Sequence, residues 1–176
     1  MFFHVQMERE ILLYPHAFGK DVEGTLRQKL VSKVEGSCSG RHGFVILVTD
    51  INSIGKGRIR EGAGLATFKV DFEAIVFRPF KGEVLDALVT TVNKMGFFCE
   101  AGPLQIFVSK HQCPQGMIYD AQSNPISYVQ HDADDHPIRI TRDSEVRLRI
   151  IGTHFESTEI RAIGTIKENY LGLIAS

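Results

Sequence analysis

The sequence is poor in cysteine, and its three cysteines, Cys38, Cys99 and Cys113, lie far apart. They form no CxxC pair, so the sequence supports neither a zinc site nor a disulfide framework, and buried, reduced thiols are the favoured interpretation. Long apolar runs are also lacking. The longest, residues 44–48, has the length of a strand, far below the roughly 18 residues of a membrane-spanning helix. Because residues 2–7 are too short and polar for a secretory signal, we predict a soluble, intracellular protein that does not contact membranes.

A strong charge of either sign is absent as well. Lys and Arg number 20 against 21 Asp and Glu, which gives a formal charge of −1 and no reason to expect a strongly basic, nonspecific nucleic-acid binder. Hydrophobic residues make up 43% and charged residues 23%, the balance of a globular protein. A chain of 176 residues can bury roughly 70% of its unfolded surface and fits one large domain or two small ones.

Signatures of nucleotide binding and catalysis are missing. Gly55-Lys56-Gly57 lacks the third glycine of a dinucleotide fingerprint, and no Walker-type Gly-Lys-Ser/Thr occurs. Residues 36–40 superficially resemble a nucleophile elbow centred on Cys38, with His42 nearby. An elbow exposes its nucleophile where a strand turns into a helix, whereas here a helix is predicted before and a strand after. A helix cap is therefore favoured, and a thiol hydrolase using Cys38 and His42 stays an alternative.

The segment from His131 to His136 carries imidazole and carboxylate groups that suit several divalent ions. Its spacing is not that of an EF-hand, and a single loop preorganises ligands poorly. A solvated acidic loop is the favoured interpretation, so we predict neither a metal site nor a cofactor.

The first part of the chain has the pattern of an α+β domain. Residues 2–14 predict one or two strands, and Pro15 and Gly19 predict a turn. Asp21 can cap a helix, and Gly36 can end it in the left-handed conformation. Further strands are predicted at 44–51 and 68–76, on either side of a flexible glycine-rich loop. The apolar positions of the helix repeat every fourth residue, at Val22, Leu26, Leu30 and Val34.

The second part of the chain predicts an all-β barrel. Residues 78–82, with Pro79 and Gly82, break the preceding strand, so we place a domain boundary at residue 80. Strand-like runs follow near 83–93, 97–101, 104–109, 145–153 and 159–167. Five short strands without an intervening helix suggest a small Greek-key barrel of the OB type. Residues 112–143, which are rich in proline and polar side chains, read as a long loop excursion from the barrel.

Aromatic residues flanked by cations mark one region of this barrel. Strand alternation predicts that one member of the Phe97 and Phe98 pair lies on the barrel surface, and Phe107 points either outward or inward. Bases stack on aromatic rings while cations neutralise phosphates, so this pattern suits single-stranded nucleic acid. Filling of the barrel core is the alternative for all three phenylalanines. The cations beside them are Lys94, Lys110 and His111.

Residues 82–111 resemble the S1-type RNA-binding OB barrel, with Gly96, Phe98, Gly102 and Phe107 among the residues in the family's order. Residues 146–152 and 160–164 resemble its last two strands. That family often has an aromatic where Met95 stands and a histidine where Ser109 stands, so Phe98 and Phe107 are carried over. Blocks spread over nearly the whole chain also resemble the seventh-subunit family of eukaryotic DNA-directed RNA polymerase II. They are residues 1–3, 15–19, 34–40, 76–84, 162–167 and 170–173.

The resemblance implies an α+β truncated ribonucleoprotein-like domain (1–80) followed by an all-β OB-fold barrel (81–176). It implies a nuclear, non-catalytic stalk subunit that heterodimerises with the fourth subunit, acts in transcription initiation and binds nascent single-stranded RNA. The tip of the first domain would dock on the polymerase core. The alternatives are an equivalent subunit of another nuclear polymerase and a free-standing RNA-binding barrel protein in translation or RNA decay. The implied docking residues are Pro15, Phe18, Gly19, Gly55, Gly57, Gly62 and Gly64.

The two predicted domains differ in charge. Residues 1–80 carry 11 Lys and Arg against 9 Asp and Glu, and residues 81–176 carry 9 against 12. Because the barrel is the more acidic part, RNA binding must depend on a local patch that neutralises few phosphates. We therefore expect weak, auxiliary RNA binding. The candidate cations are Lys94, Lys110, Arg147 and Arg149.

Overall fold

The computed structural model describes residues 1–62, 64–131, 137–156 and 159–174. The chain divides into two compact units, Met1–Arg78 and Pro79–Ser176, called here the first and second unit. Within the described residues, no helix is long and apolar enough to cross a membrane.

The first unit is an antiparallel sheet with one face covered by a helix. Its strands pair antiparallel in the order β1-β5-β3-β2, and β4 also pairs with β5. Helix α1 packs buried side chains against this sheet. The elements are β1 (Phe2–Leu13), a 3₁₀ turn (Pro15–Ala17), α1 (Val22–Val34), β2 (Cys38–Ser39), β3 (Gly43–Ile54), β4 (Arg58–Ile59) and β5 (Ala66–Phe77).

The predicted helix is confirmed in its start, its buried face and its end. The Asp21 carboxylate accepts a hydrogen bond from the Gly24 backbone N–H at 2.8 Å, which satisfies one of the unpaired donors of the first turn. Gly36 has φ of +73°, the left-handed conformation in which glycine carries no steric penalty. The side chains of Leu26, Leu30 and Val34 are buried.

The glycine-rich region between β3 and β5 contains a short strand that the sequence did not predict. Arg58 and Ile59 form the short strand β4, which pairs with Thr67 and Ala66. The predicted glycine-rich loop region thus contains one short paired segment. A two-residue strand carries no periodicity that sequence analysis could detect.

The second unit contains the predicted closed barrel. Strands β6, β7 and β8 pair in sequence order, β6 pairs with β12, and β13 closes the barrel by pairing parallel to β8 and antiparallel to β12. The elements are β6 (Val84–Asn93), β7 (Gly96–Ala101), β8 (Leu104–Ser109), a second 3₁₀ turn (Lys110–Gln112), β9 (Ile118–Asp120), β10 (Ser127–His131), β11 (Pro137–Ile140), β12 (Glu145–Phe155), β13 (Ile160–Thr165) and β14 (Gly172–Leu173).

The segment 112–143 is not the unstructured excursion that its composition suggests. It contains β9, β10 and β11, which form a separate three-stranded antiparallel sheet. Tyr128 of this sheet is buried, packs against Phe97 with ring centroids 6.1 Å apart, and donates its hydroxyl to the Asn93 carbonyl at 2.7 Å. The small sheet is thus anchored on the barrel core. The three strands could not be detected from the sequence, because they are short and the segment contains several prolines.

Candidate nucleic-acid interface

A pair of phenylalanine rings lies on the outer face of the barrel. Phe98 on β7 and Phe107 on β8 stand opposite each other in register, with ring centroids 4.8 Å apart and ring planes inclined by 42°. Both side chains are half-buried. The preceding residue, Phe97, is completely buried, as strand alternation requires. The pair therefore offers aromatic surface to solvent while its inner edges pack on the sheet.

The row that contains this pair crosses four strands. Thr91 of β6 pairs with Phe98, and Ile163 of β13 pairs with Phe107. Ile163 is 49% exposed. The result is a partly apolar strip, Thr91–Phe98–Phe107–Ile163, called here the aromatic row.

Cationic residues lie just beyond the start of β7 and the end of β8, a few residues along the strands from the central Phe98 and Phe107. Lys94 and Met95 form the β6–β7 turn, and the Lys110 backbone N–H donates to the Met95 carbonyl at 2.9 Å. Lys94, Lys110 and His111 are exposed. In the described part of the chain, no carboxylate lies within ion-pair distance of Lys94 or Lys110. The structure thus brings together three of the cationic residues expected from the sequence with both carried-over aromatics.

The two arginines of β12 are placed differently. Arg147 donates through Nε and Nη2 to the two carboxylate oxygens of Asp86, at 2.7 and 2.9 Å. This hydrogen-bonded pair lowers the pKa of Asp86 and raises that of Arg147. Arg149 forms an ion pair through Nη1 with Glu168. Since each guanidinium already faces a carboxylate, these arginines are poorer phosphate ligands than Lys94 and Lys110.

Two separated segments of the first unit meet at its tip. A Cβ placed on Gly64 would lie 3.7 Å from Cγ of Pro15, so the loop before β5 lies against the turn after β1. The Gly55 backbone N–H donates a hydrogen bond to the Lys69 carbonyl at 2.7 Å. Gly57 lies against the Phe68 ring. The expected docking segments are therefore adjacent. Their exposed apolar side chains are Tyr14, Phe18 and Ile59, with Gly19 and Gly62 exposed beside them.

The sites considered for other chemistry have ordinary structural surroundings. Cys38 lies in the two-residue strand β2 and is half-buried. Burial, followed by the charges of Arg41 and Arg78, lowers the pKa of His42. Burial raises the pKa of Cys99 to about 12 and that of Cys113 to about 11, so these thiols are unreactive at neutral pH.

No metal-binding cluster of three or more His, Cys, Asp or Glu occurs among the described residues. This statement does not extend to most of the acidic segment from His131 to His136, because residues 132–136 lie outside the described residues.

Comparison with known families matches both halves of the chain. Residues 8–64 match the SHS2 domain found in the N terminus of Rpb7p/Rpc25p/MJ0397, and residues 78–161 match the S1 RNA binding domain. The expected fold class, an α+β first domain followed by an OB-type barrel, is confirmed.

Relatives align along nearly the full chain. The chain is 53% identical over 174 residues to DNA-directed RNA polymerase II subunit RPB7 of Glycine max, covering 99% of this chain and 97% of the relative. It is 42% identical over 176 residues to the subunit of the same name from Saccharomyces cerevisiae, covering 99% and 100%. Identity to DNA-directed RNA polymerase V subunit 7 of Arabidopsis thaliana is 29% over 181 residues, covering 98% and 97%. The chain therefore belongs to the family of DNA-directed RNA polymerase II subunit RPB7, an accessory rather than a catalytic subunit.

Proposed function

We propose that this protein is a stalk subunit of nuclear RNA polymerase II that heterodimerises with the fourth subunit, acts in transcription initiation and contacts nascent single-stranded RNA through its barrel. The identities support polymerase II over another nuclear polymerase, because the chain is 53% identical to a polymerase II relative and 29% identical to a polymerase V relative. The family match over both halves also argues against a free-standing barrel, which has no use for the first unit.

The aromatic row is the observation that supports RNA contact. Phe98 and Phe107 present ring surface on the outer face of an S1-type barrel, and Lys94, Lys110 and His111 lie just beyond the start of β7 and the end of β8. Stacked bases and neutralised phosphates bind single strands with little sequence preference. Because the second unit carries more acidic than basic residues, this contact is expected to be weak and to serve guidance of the transcript.

We expect Phe98→Ala and Phe107→Ala each to weaken binding of a labelled single-stranded RNA by about 1–3 kcal/mol, because each removes a stacking surface. Fluorescence anisotropy on the complete chain measures the affinity, with circular dichroism to verify folding. Tyr170→Ala is the matched control, since this aromatic is 95% exposed and lies between β13 and β14, off the aromatic row. Unchanged affinity in folded Phe98 and Phe107 variants would refute the stacking role.

The tip supports docking on the polymerase core. Phe18 and Ile59 are large apolar side chains that are 45% and 73% exposed, and they lie on the two segments that meet at Gly64 and Pro15. Exposed apolar side chains on adjacent segments of a surface are typical of regions that a partner covers. Apolar anchors that become buried in an interface typically account for most of its binding energy.

We expect the double variant Phe18→Ser/Ile59→Ser to reduce recovery of core polymerase subunits by about tenfold or more, since each lost anchor costs upward of about 1 kcal/mol. Affinity purification of the tagged protein, followed by quantitative mass spectrometry, measures this recovery. Ile118→Ser is the control, because Ile118 is similarly exposed but lies in the second unit. The fourth subunit should co-purify in both cases. Undiminished core recovery with the double variant would contradict docking through the tip.

A further inference from the structure

A cleft opens at the tip of the first unit, on the face of its sheet that points away from α1. Its volume is about 390 Å³. Thr67 and Lys69 alternate along β5 with side chains that pack beneath the helix, so they lie on the outer face. Arg58 of β4 stands opposite Thr67. Glu10 of β1 stands opposite Lys69. This tip cleft is lined by Glu10, Gly55, Lys56, Arg58, Thr67 and Lys69.

Two exposed cations of the tip cleft face no carboxylate. No ion pair among the residues that the structure describes includes Lys56 or Arg58. Lys69 differs, because its ammonium lies 2.6 Å from the Glu8 carboxylate. The hydrogen bond to Glu8 raises the pKa of Lys69, and the carboxylate compensates its charge. Lys56 and Arg58 therefore supply the positive charge that the tip cleft offers to a ligand.

A hydroxyl group in the lining of the tip cleft also lacks a partner. Thr67 Oγ1 is buried and makes no hydrogen bond within the described part of the chain. Buried polar atoms without a partner are rare in native proteins. A threonine hydroxyl both donates and accepts hydrogen bonds, and a change of χ1 rotamer turns it towards the cleft that Thr67 lines. A bound ligand can therefore supply the missing hydrogen bond.

The lining of the tip cleft favours an acidic peptide over a nucleic acid. Among the described residues that form it, none is aromatic, so bases would find no ring on which to stack. Glu10 contributes a carboxylate, which repels a backbone that carries a negative charge at every phosphate. An extended peptide avoids this repulsion, because it can place acidic side chains near Lys56 and Arg58 and a neutral one near Glu10.

We propose that the tip cleft binds an extended acidic segment of the polymerase core, with the carboxylates of that segment on Lys56 and Arg58. The inference rests on the proposed docking of the tip and names the chemistry of the segment that it meets. Phe18 and Ile59 would contribute apolar contact area, and the tip cleft would contribute charge complementarity. Such complementarity determines the specificity and rate of association more than its strength. Docking should therefore weaken as salt is raised.

NMR of the isotope-labelled complete chain tests the tip cleft directly. The probe is a short peptide that alternates glutamate and serine, and a peptide that alternates glutamine and serine is the control for charge. We expect the glutamate peptide to shift the backbone amide signals of Lys56, Arg58 and Thr67, and the glutamine peptide to leave them unchanged. The absence of these shifts would overturn the site.

Two further outcomes of this titration would also refute the proposal. Lys33 is an exposed cation in the last turn of α1, outside the tip cleft. Shifts at Lys33 as large as those at Lys56 and Arg58 would show that the glutamate peptide is attracted to any exposed cation. Larger shifts in the tip cleft with an oligouridylate than with the glutamate peptide would assign the cleft to RNA.

We expect Lys56→Gln/Arg58→Gln to abolish the peptide shifts and to lower recovery of core polymerase subunits by about threefold to tenfold at low salt, since two exposed ion pairs are lost. Recovery with the wild type should fall as salt is raised, and recovery with this variant should fall less. Arg9→Gln/Lys33→Gln is the matched control, because it removes the same two kinds of charge from exposed positions outside the tip cleft. Equal recovery with the two double variants at every salt concentration would exclude the tip cleft from docking.

Failure of the tip cleft and failure of docking can be distinguished. If Phe18→Ser/Ile59→Ser lowers core recovery and Lys56→Gln/Arg58→Gln does not, docking stands and the tip cleft is excluded. If only the charge variant lowers recovery, the tip cleft is retained and the apolar anchors are excluded. If neither double variant lowers recovery, docking through the tip and the tip cleft are refuted together.

Discussion

Replacing Phe97 with alanine is expected to lower the free energy of unfolding of the second unit by about 3–5 kcal/mol. Phe97 is completely buried and contacts Tyr128, which fastens the three-stranded sheet to the barrel. Removing the ring loses its transfer free energy and leaves a cavity that close-packed strands fill only partly. The loss should therefore loosen both the barrel and the β9–β11 sheet.

Urea unfolding followed by tyrosine fluorescence measures this effect. The chain has no tryptophan, and three of its four tyrosines, Tyr119, Tyr128 and Tyr170, belong to the second unit. Phe98→Ala is the control at the adjacent position. Because the Phe98 ring is half-exposed, its removal mainly loses the contact with Phe107. We therefore expect the free energy of unfolding to fall by about 0.5–1.5 kcal/mol. Equal destabilisation by the two variants would contradict the assignment of Phe97 to the core and Phe98 to the surface.

Local sequence patterns predicted the elements whose determinants lie close together in the chain. The Asp21 cap and the four-residue spacing of Leu26, Leu30 and Val34 define α1 without reference to the rest of the molecule. Alternation of Phe97 and Phe98 required one of them to be buried, and the structure shows which. The choice depends on register, because each β7 side chain faces the core or the solvent according to its partner on β6 and β8.

Features that join distant residues could not be predicted in this way. The sequence indicates Arg147 as a candidate phosphate ligand, but it does not show that the β6–β12 pairing places Arg147 directly opposite Asp86. Another cleft in the first unit is lined by Phe3, Arg41 and Arg78, among others. These residues are far apart in the chain and come together because β1 and β3 both pair with β5. Its signal in the sequence is limited to scattered basic residues. Register shifts between β3 and β5 also interrupt the alternation of inward and outward side chains along β3. The residues on each face of β3 therefore cannot be assigned from the sequence.

Gly96→Ala is expected to destabilise the second unit by roughly 2–6 kcal/mol, from backbone strain of about 1–3 and overpacking of about 1–3. Gly96 has φ of +150° at the start of β7, opposite Ser109. An added Cβ would collide with the Val108 carbonyl oxygen and lie 2.9 Å from Cα of Ser109 and 3.0 Å from Cζ of Phe107. The clash would push β8 away from β7, where the aromatic row is formed.

Alanine variants at two other glycines distinguish the effect of backbone strain from that of the steric clash. Gly102 has φ of +60° and Gly152 has no positive φ, and a Cβ on either would meet nothing within 4 Å. We expect Gly102→Ala to cost about 1–2 kcal/mol through strain alone and Gly152→Ala to change stability by less than about 1 kcal/mol. In urea unfolding, Gly96→Ala should lower the free energy of unfolding more than either of these variants does. Of the three, only Gly96→Ala should also weaken RNA binding, because the Phe107 ring must move to make room for the added Cβ. If Gly96→Ala and Gly102→Ala cost the same, close approach of β7 and β8 is not what requires glycine at position 96.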